Sequence, residues 1–259
     1  MRSAGRAAAW KRIRPEPPSA ATASATVRGF CRRKQEEPIP NATSTRSAGI
    51  LRLGIPIALQ DVLVGISFLV ILAIVNSLGL LQSAGMGIAE KVCAFVMLLP
   101  SAFSQSVSAF VAQNTGAGKP ERAKKALRYS VAVSLCISVF VSYFNFFHGD
   151  LLAGIFANDR AVILEAADYL KAYAIDCLLT SFLFCFVGYF SGLGKTVFVM
   201  AQGILGAFGV RIPVSFAMSR LLNVRLFYIG LATPCSTVVQ VLLCLLYYAH
   251  LARREKAVR

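Results

Sequence analysis

Polar and apolar positions divide this chain into long uncharged runs separated by short charged clusters. Val62–Ala89, Val92–Gly118, Tyr129–Gly149, Cys177–Gly194 and Leu226–Ala252 contain no Asp, Glu, Lys or Arg. A sixth run, Thr196–Ser219, is interrupted only by Arg211. Each matches or approaches the ~20 residues that a helix needs to cross the hydrocarbon core of a bilayer. One such run fits a buried helix of a soluble protein. Six at loop-sized spacing predict an all-α, polytopic membrane bundle of six transmembrane helices, at roughly 54–80, 84–113, 126–148, 166–190, 196–219 and 225–251. Between the third and fourth spans, Asn158-Asp159 is a helix start. Val162, Ile163, Ala166, Ala167 and Leu170 then recur at helical spacing. That pattern predicts a short helix along the membrane surface leading into span four.

Composition agrees. The chain is 56% hydrophobic and only 15% charged, against roughly 45–50% apolar for a soluble domain. The net charge of +15 raises the question of a nucleic-acid partner. Its distribution argues against one, because the basic residues cap apolar segments and form no stripe between aromatics. Seven cysteines lie at 31, 93, 136, 177, 185, 235 and 244, with no CxxC pair. Six fall in apolar runs, where cysteine packs as a small hydrophobe. No metal site is expected.

Residues 1–46 are rich in Ala, Arg, Ser and Pro, with no apolar run of signal-peptide length. A disordered basic tail is expected there, with a non-native origin as one reading of its abrupt change of composition. Residues 47–253 form the six-span unit, and 254–259 a basic tail on the cytoplasmic side. Six spans place both termini on one face. That face carries Lys119, Arg122, Lys124, Lys125, Arg128, Lys195, Arg253, Arg254, Lys256 and Arg259. The opposite face carries Arg160, Lys171, Arg220 and Arg225. The excess of basic residues makes the first face cytoplasmic, in a multi-pass protein of the cell membrane.

Two glycine-lysine pairs invite comparison with a phosphate-binding loop. GYFSGLGKT, residues 188–196, ends in Gly194-Lys195-Thr196, but Tyr189 stands where the motif needs its first glycine. Lys119 is followed by Pro120, not by Ser or Thr. Both pairs join apolar spans, whereas a phosphate loop joins a strand to a helix. Nucleotide binding is therefore not expected, and no enzymatic function. Glycine has other uses here. Gly188-xxx-Gly192 and the run Gly203, Gly206, Gly209 offer small-residue faces for helix packing. Pro56, Pro100, Pro213 and Pro234 make several spans bendable.

Ionisable residues within spans are costly and mark candidate functional positions. Asp61 follows Gln60 in span one; Glu90 and Lys91 open span two; Asp176 lies in span four near Thr180; Arg211 lies deep in span five. Asp61 and Asp176 are the candidates for binding a coupling proton or Na⁺, with structural pairing as the alternative. Arg211 could serve as counter-ion to either. Gln60, Asn76, Gln105, Gln113, Asn114, Asn145 and Gln202 are candidates to line a polar cavity, and His148 and His250 are expected at the interfaces.

Several stretches resemble a known family. LGIPIALQDVLVGISFLVILAIVNSLG and GIAEKVCAFVMLLPSAFSQSVSAFVAQNTGAGKPERAKKAL are similar to spans seven and eight of the MATE (multidrug and toxic compound extrusion) transporters. VGYFSGLGKTVFVMAQG and VRIPVSFAMS resemble spans ten and eleven. The most specific part is the loop with Gln113, Asn114, Gly116, Gly118 and Arg122, which resembles the family's cytoplasmic loop after its eighth span. The likeness runs over about residues 50–253. It implies one lobe of a twelve-span transporter that exports drugs, organic cations or other xenobiotics in exchange for Na⁺ or H⁺. It implies no cofactor beyond the coupling ion. Its partners would be a small-molecule substrate, membrane lipid, and a first lobe or a second copy of this chain. One branch of the family carries a Glu and an Asp at positions that fall here on Val64 and Thr180, and an Arg that falls on Ser191. Asp61 and Asp176 lie within about one turn of those positions. The other readings are a truncated, inactive fragment of such a transporter, or a lipid-linked flippase of related fold.

Overall fold

The computed structural model describes residues 42–220 and 225–258. Among these there is no strand. The elements are α1 (Ala42–Asn76), α2 (Leu80–Gly116), α3 (Pro120–Phe147), the short α4 (Gly149–Gly154), α5 (Arg160–Gly192), α6 (Thr196–Ile204), α7 (Ile212–Ser219), the short α8 (Leu226–Gly230) and α9 (Ala232–Val258). A π-helical turn, Leu205–Arg211, joins α6 to α7. The bundle comprises the chain from Leu51 onward. Six helical stretches are long and apolar enough to cross a membrane: Leu51–Asn76, Leu80–Gly116, Pro120–Phe147, Arg160–Gly192, Thr196–Ser219 and Leu226–Arg254.

Several boundaries differ from those expected. Residues 42–46, assigned to the tail on composition, are the first turn of α1, and α9 continues through most of the expected C-terminal tail to Val258. The rest of the expected tail, 1–41, lies outside the described residues. The separate surface helix before span four is not present. Arg160–Gly192 is one continuous helix, because no Gly or Pro interrupts it between 160 and 187. Its start is where the sequence places it: Asp159 is the N-cap, and its carboxylate accepts from the Ala161 N–H at 2.9 Å.

The two glycine-lysine pairs are helix stops of one design. Lys119 N–H donates to the Asn114 carbonyl at 2.9 Å, and Gly118 has φ +68°. Lys195 N–H donates to the Phe190 carbonyl at 2.8 Å, and Gly194 has φ +71°. The left-handed residue must be glycine for the chain to turn back on its last carbonyls. Pro120 then opens α3, where a missing N–H is harmless.

Helix α5 is the central post and the most buried span. It packs most extensively against α2 and then α3. Gly188 and Gly192 let α2 approach to backbone contact: a Cβ at Gly188 would collide with the Ser104 carbonyl, and one at Gly192 would lie 2.6 Å from the Ser108 carbonyl. The core has two apolar ends. One gathers Ile71, Val75, Met86, Val92, Leu170 and Ile229. The other gathers Val107, Val111, Leu127, Phe186, Phe190 and Val199, and is stapled by Phe198 stacked on Tyr247 with centroids 3.9 Å apart. The outward faces carry Leu69, Phe95, Leu98, Phe140 and Leu246 exposed, as a lipid-facing surface requires.

Candidate functional site

Between the two apolar ends lies a layer of buried polar side chains. Asp176, Thr180, Gln202, Arg211, Ser215, Thr233, Ser236, Thr237 and Gln240 are all buried. They come from α5, α6, the π turn, α7 and α9, and much of this layer faces an open cavity of about 1000 Å³. That volume accommodates a drug-sized molecule. Helix α1 adds Gln60, Asp61 and Phe68 to its wall, and α2 adds Glu90, Met97 and Gln105.

Asp176 is the best-held group in this wall. It has no exposed surface. Thr180, one turn on, donates to Oδ2 at 3.0 Å, and Thr237 of α9 donates to Oδ1 at 2.6 Å. The Thr237 hydroxyl also lies 3.0 Å from the Thr233 carbonyl. A hydroxyl has one proton and can also accept. It therefore donates to an ionised Asp176, or accepts from a protonated one while donating to Thr233. Both charge states of the carboxyl are satisfied without moving a backbone.

Arg211 stands on the π turn, two residues before Pro213, which cannot donate back along the helix. Its Nη1 lies 3.5 Å from the Ser67 hydroxyl, and its guanidinium sits 4.5 Å from the centre of the Phe68 ring. Its Nε has no hydrogen-bond partner, and neither does the Oε1 of Gln60 or of Gln202. Arg211 makes no salt bridge with Asp176 or Asp61 among the described residues, but it lies near enough to Asp176 for the two opposite charges to act on each other. The π turn is tied to α9 by the Ser236 hydroxyl, which donates to the Gly206 carbonyl at 2.7 Å.

All six candidate cavity residues, Asp61, Asp176, Gln60, Thr180, Arg211 and Gln202, line this one cavity. Of the wider set of amides, Gln105 joins them. Asn76, Gln113, Asn114 and Asn145 do not. Asn76 ends α1 and accepts a hydrogen bond from Ser83. Gln113 and Asn114 end α2, where Asn114 Nδ2 donates to the Phe110 carbonyl at 2.8 Å. Asn145 is fully buried in α3. Gly116 ends α2, Gly118 lies in the α2–α3 turn and Arg122 in the first turn of α3, and none of them lines the cavity. Sequence reasoning missed Thr233, Thr237 and Gln240. Their spacing of four and three residues in an apolar run places them on one helix face, a signal that was present.

Membrane-length helices around a buried polar layer define a multi-pass membrane protein. The chain belongs to the MatE family, whose model matches residues 56–217. Membership places it among membrane transporters rather than enzymes at the level of the family. It is 22% identical over 210 residues to a probable multidrug resistance protein, YoeA, of Bacillus subtilis, covering 81% of this chain and 45% of that protein. It is 28% identical over 176 residues to the multidrug export protein MepA of Staphylococcus saprophyticus, covering 66% of this chain and 38% of that one. A solved structure of a MOP superfamily transporter from Pyrococcus furiosus shares its fold, with a TM-score of 0.69 at 24% identity over 76% of this chain and 43% of that one. The chain thus spans less than half the length of these relatives.

Proposed function

We propose that this chain is one lobe of a secondary multidrug transporter, which exports cationic xenobiotics in exchange for H⁺ or Na⁺. The observation that carries this reading is Asp176, fully buried in the cavity wall and held by Thr180 and Thr237 in a way that satisfies either charge state. An intramembrane carboxyl that accepts and releases a cation biases the equilibrium between two arrangements of the lobes. The named functions of the relatives support the same reading. Asp61 and Glu90 add negative charge to the cavity, which favours a cationic substrate.

The cavity is open, and its α1 wall carries an exposed Asp61. Such a wall is not stable against lipid tails. A second lobe, from another chain or a second copy of this one, would cover it. Both termini would lie on the cytoplasmic side, where the basic residues of the α2–α3 turn meet anionic headgroups. The test is reconstitution in liposomes under an imposed pH or Na⁺ gradient, with and without a first lobe, reading ethidium movement. Movement is expected to need the gradient and to be lost in Asp176→Asn. Full movement by that variant would remove Asp176 from the mechanism.

A further inference from the structure

A separate pocket of about 490 Å³ opens on the face opposite the α2–α3 turn. The end of α3, the start of α4, the first turns of α5 and Arg225, ahead of α8, enclose it. Asp150, Glu165 and Asp168 line it together with Lys171 and Arg225. Asp168 and Lys171 bridge each other at 3.4 Å. Asp150, Glu165 and Arg225 make no side-chain hydrogen bond or ion pair among the described residues. The rest of the wall is apolar, with Phe146, Phe147 and Leu164 exposed. The depth of these groups follows from the helix register. Ser134, midway along α3, lies against the Ser181 carbonyl of α5. Lys171, Asp168 and Glu165 stand ten, thirteen and sixteen residues from Ser181. At 1.5 Å per residue these are rises of about 15, 20 and 24 Å. The hydrocarbon core of a bilayer ends about 15 Å from its middle, and the headgroups begin there. Unpaired charges of both signs thus share one pocket at headgroup depth, beside exposed aromatic rings.

We propose that this pocket holds the headgroup of a membrane phospholipid that carries a primary ammonium, as phosphatidylethanolamine does. The phosphate sits on Arg225 and Lys171, and the ammonium on Asp150 and Glu165. The site is distinct from the large cavity, and its assignment does not depend on what that cavity carries. The charges select the headgroup. A purely anionic headgroup would meet three carboxylates, and a bare cation would meet Lys171 and Arg225. A headgroup with both signs is complementary to the wall. A primary ammonium has three N–H donors for carboxylate oxygens, and the trimethylammonium of choline has none. Phe146, Phe147 and Leu164 offer the acyl chains an apolar bed, which a free phosphate could not use.

The test adds dioleoyl phosphatidylethanolamine, phosphatidylcholine or phosphatidylglycerol to the purified full chain, stripped of lipid in detergent. Native mass spectrometry counts the molecules retained. The chain is expected to hold the ethanolamine lipid about tenfold more tightly than the choline lipid. Arg225→Gln is expected to weaken retention of both. Asp150→Asn combined with Glu165→Gln is expected to remove the preference and leave the choline lipid unchanged. Asp150 and Arg225 are exposed, so their replacement leaves the core intact, and the ranking of lipids on the unaltered chain needs no variant. Equal retention of the ethanolamine and choline lipids, or tighter retention of phosphatidylglycerol, would overturn the proposal. A preference that survives both sets of substitutions would place the lipid elsewhere and overturn this site. Displacement by an equal concentration of soluble phosphoethanolamine would overturn the lipid and assign the pocket to a free phosphate-ammonium ligand.

Discussion

The Thr237 hydroxyl donates to Asp176 Oδ1 across 2.6 Å, joining the last span to the central one within the polar layer. Removing it leaves a buried carboxylate oxygen without its donor. Thr237→Val is expected to destabilise the bundle by about 1–3 kcal/mol, and Thr237→Ser by less than ~1 kcal/mol. Denaturant unfolding in detergent measures the difference. No loss in Thr237→Val beside a clear loss in Thr237→Ser would show that the methyl group matters and the hydroxyl does not.

Helix α5 can approach α2 only because position 188 lacks a side chain. A Cβ there meets the Ser104 carbonyl, whereas one at Gly54 meets nothing within 4 Å. Gly188→Ala is expected to cost about 1–3 kcal/mol. Gly54→Ala should be neutral or stabilising by up to about 1 kcal/mol. Thermal melts of the two purified variants, side by side, check the contrast.

Asp159 caps the central helix through a 2.9 Å bond from Ala161 N–H. Asp159→Ala is expected to cost about 1 kcal/mol, and Asp159→Asn only a small part of that. Unfolding midpoints of the two variants report it.

Gly194-Lys195 is a helix stop and not a phosphate cradle. Lys195 is exposed, and its N–H is already bonded to the Phe190 carbonyl. No ATP turnover is expected, and Lys195→Ala should leave phosphate release at background. Turnover abolished by that substitution would require a nucleotide site in the α5–α6 turn.

Two kinds of information are separable in this chain. What the sequence by itself determined is local. The six spans follow from uncharged length, since a helix that satisfies its own backbone is the structure such a run adopts in a bilayer. The cap at Asp159 and the glycine stops at Gly118 and Gly194 are local as well. Even the unbroken α5 was legible in the absence of Gly and Pro from 160 to 187, although a surface helix was expected there.

Only the tertiary structure decided which polar residues meet. Asn145 and Gln202 look alike in sequence, each an amide in an apolar run. One lies apart from the cavity and the other lines it. Asp61 and Asp176 were equal candidates; one is exposed on the open wall, and the other is buried between two threonines from different helices. Arg211 touches Ser67 and Phe68, residues more than a hundred positions away. Periodicity says which face of a helix is apolar, but the rotation and partner of each helix follow from side-chain packing across the bundle. That packing here puts an apolar core at each end and leaves the polar residues to one another in the middle.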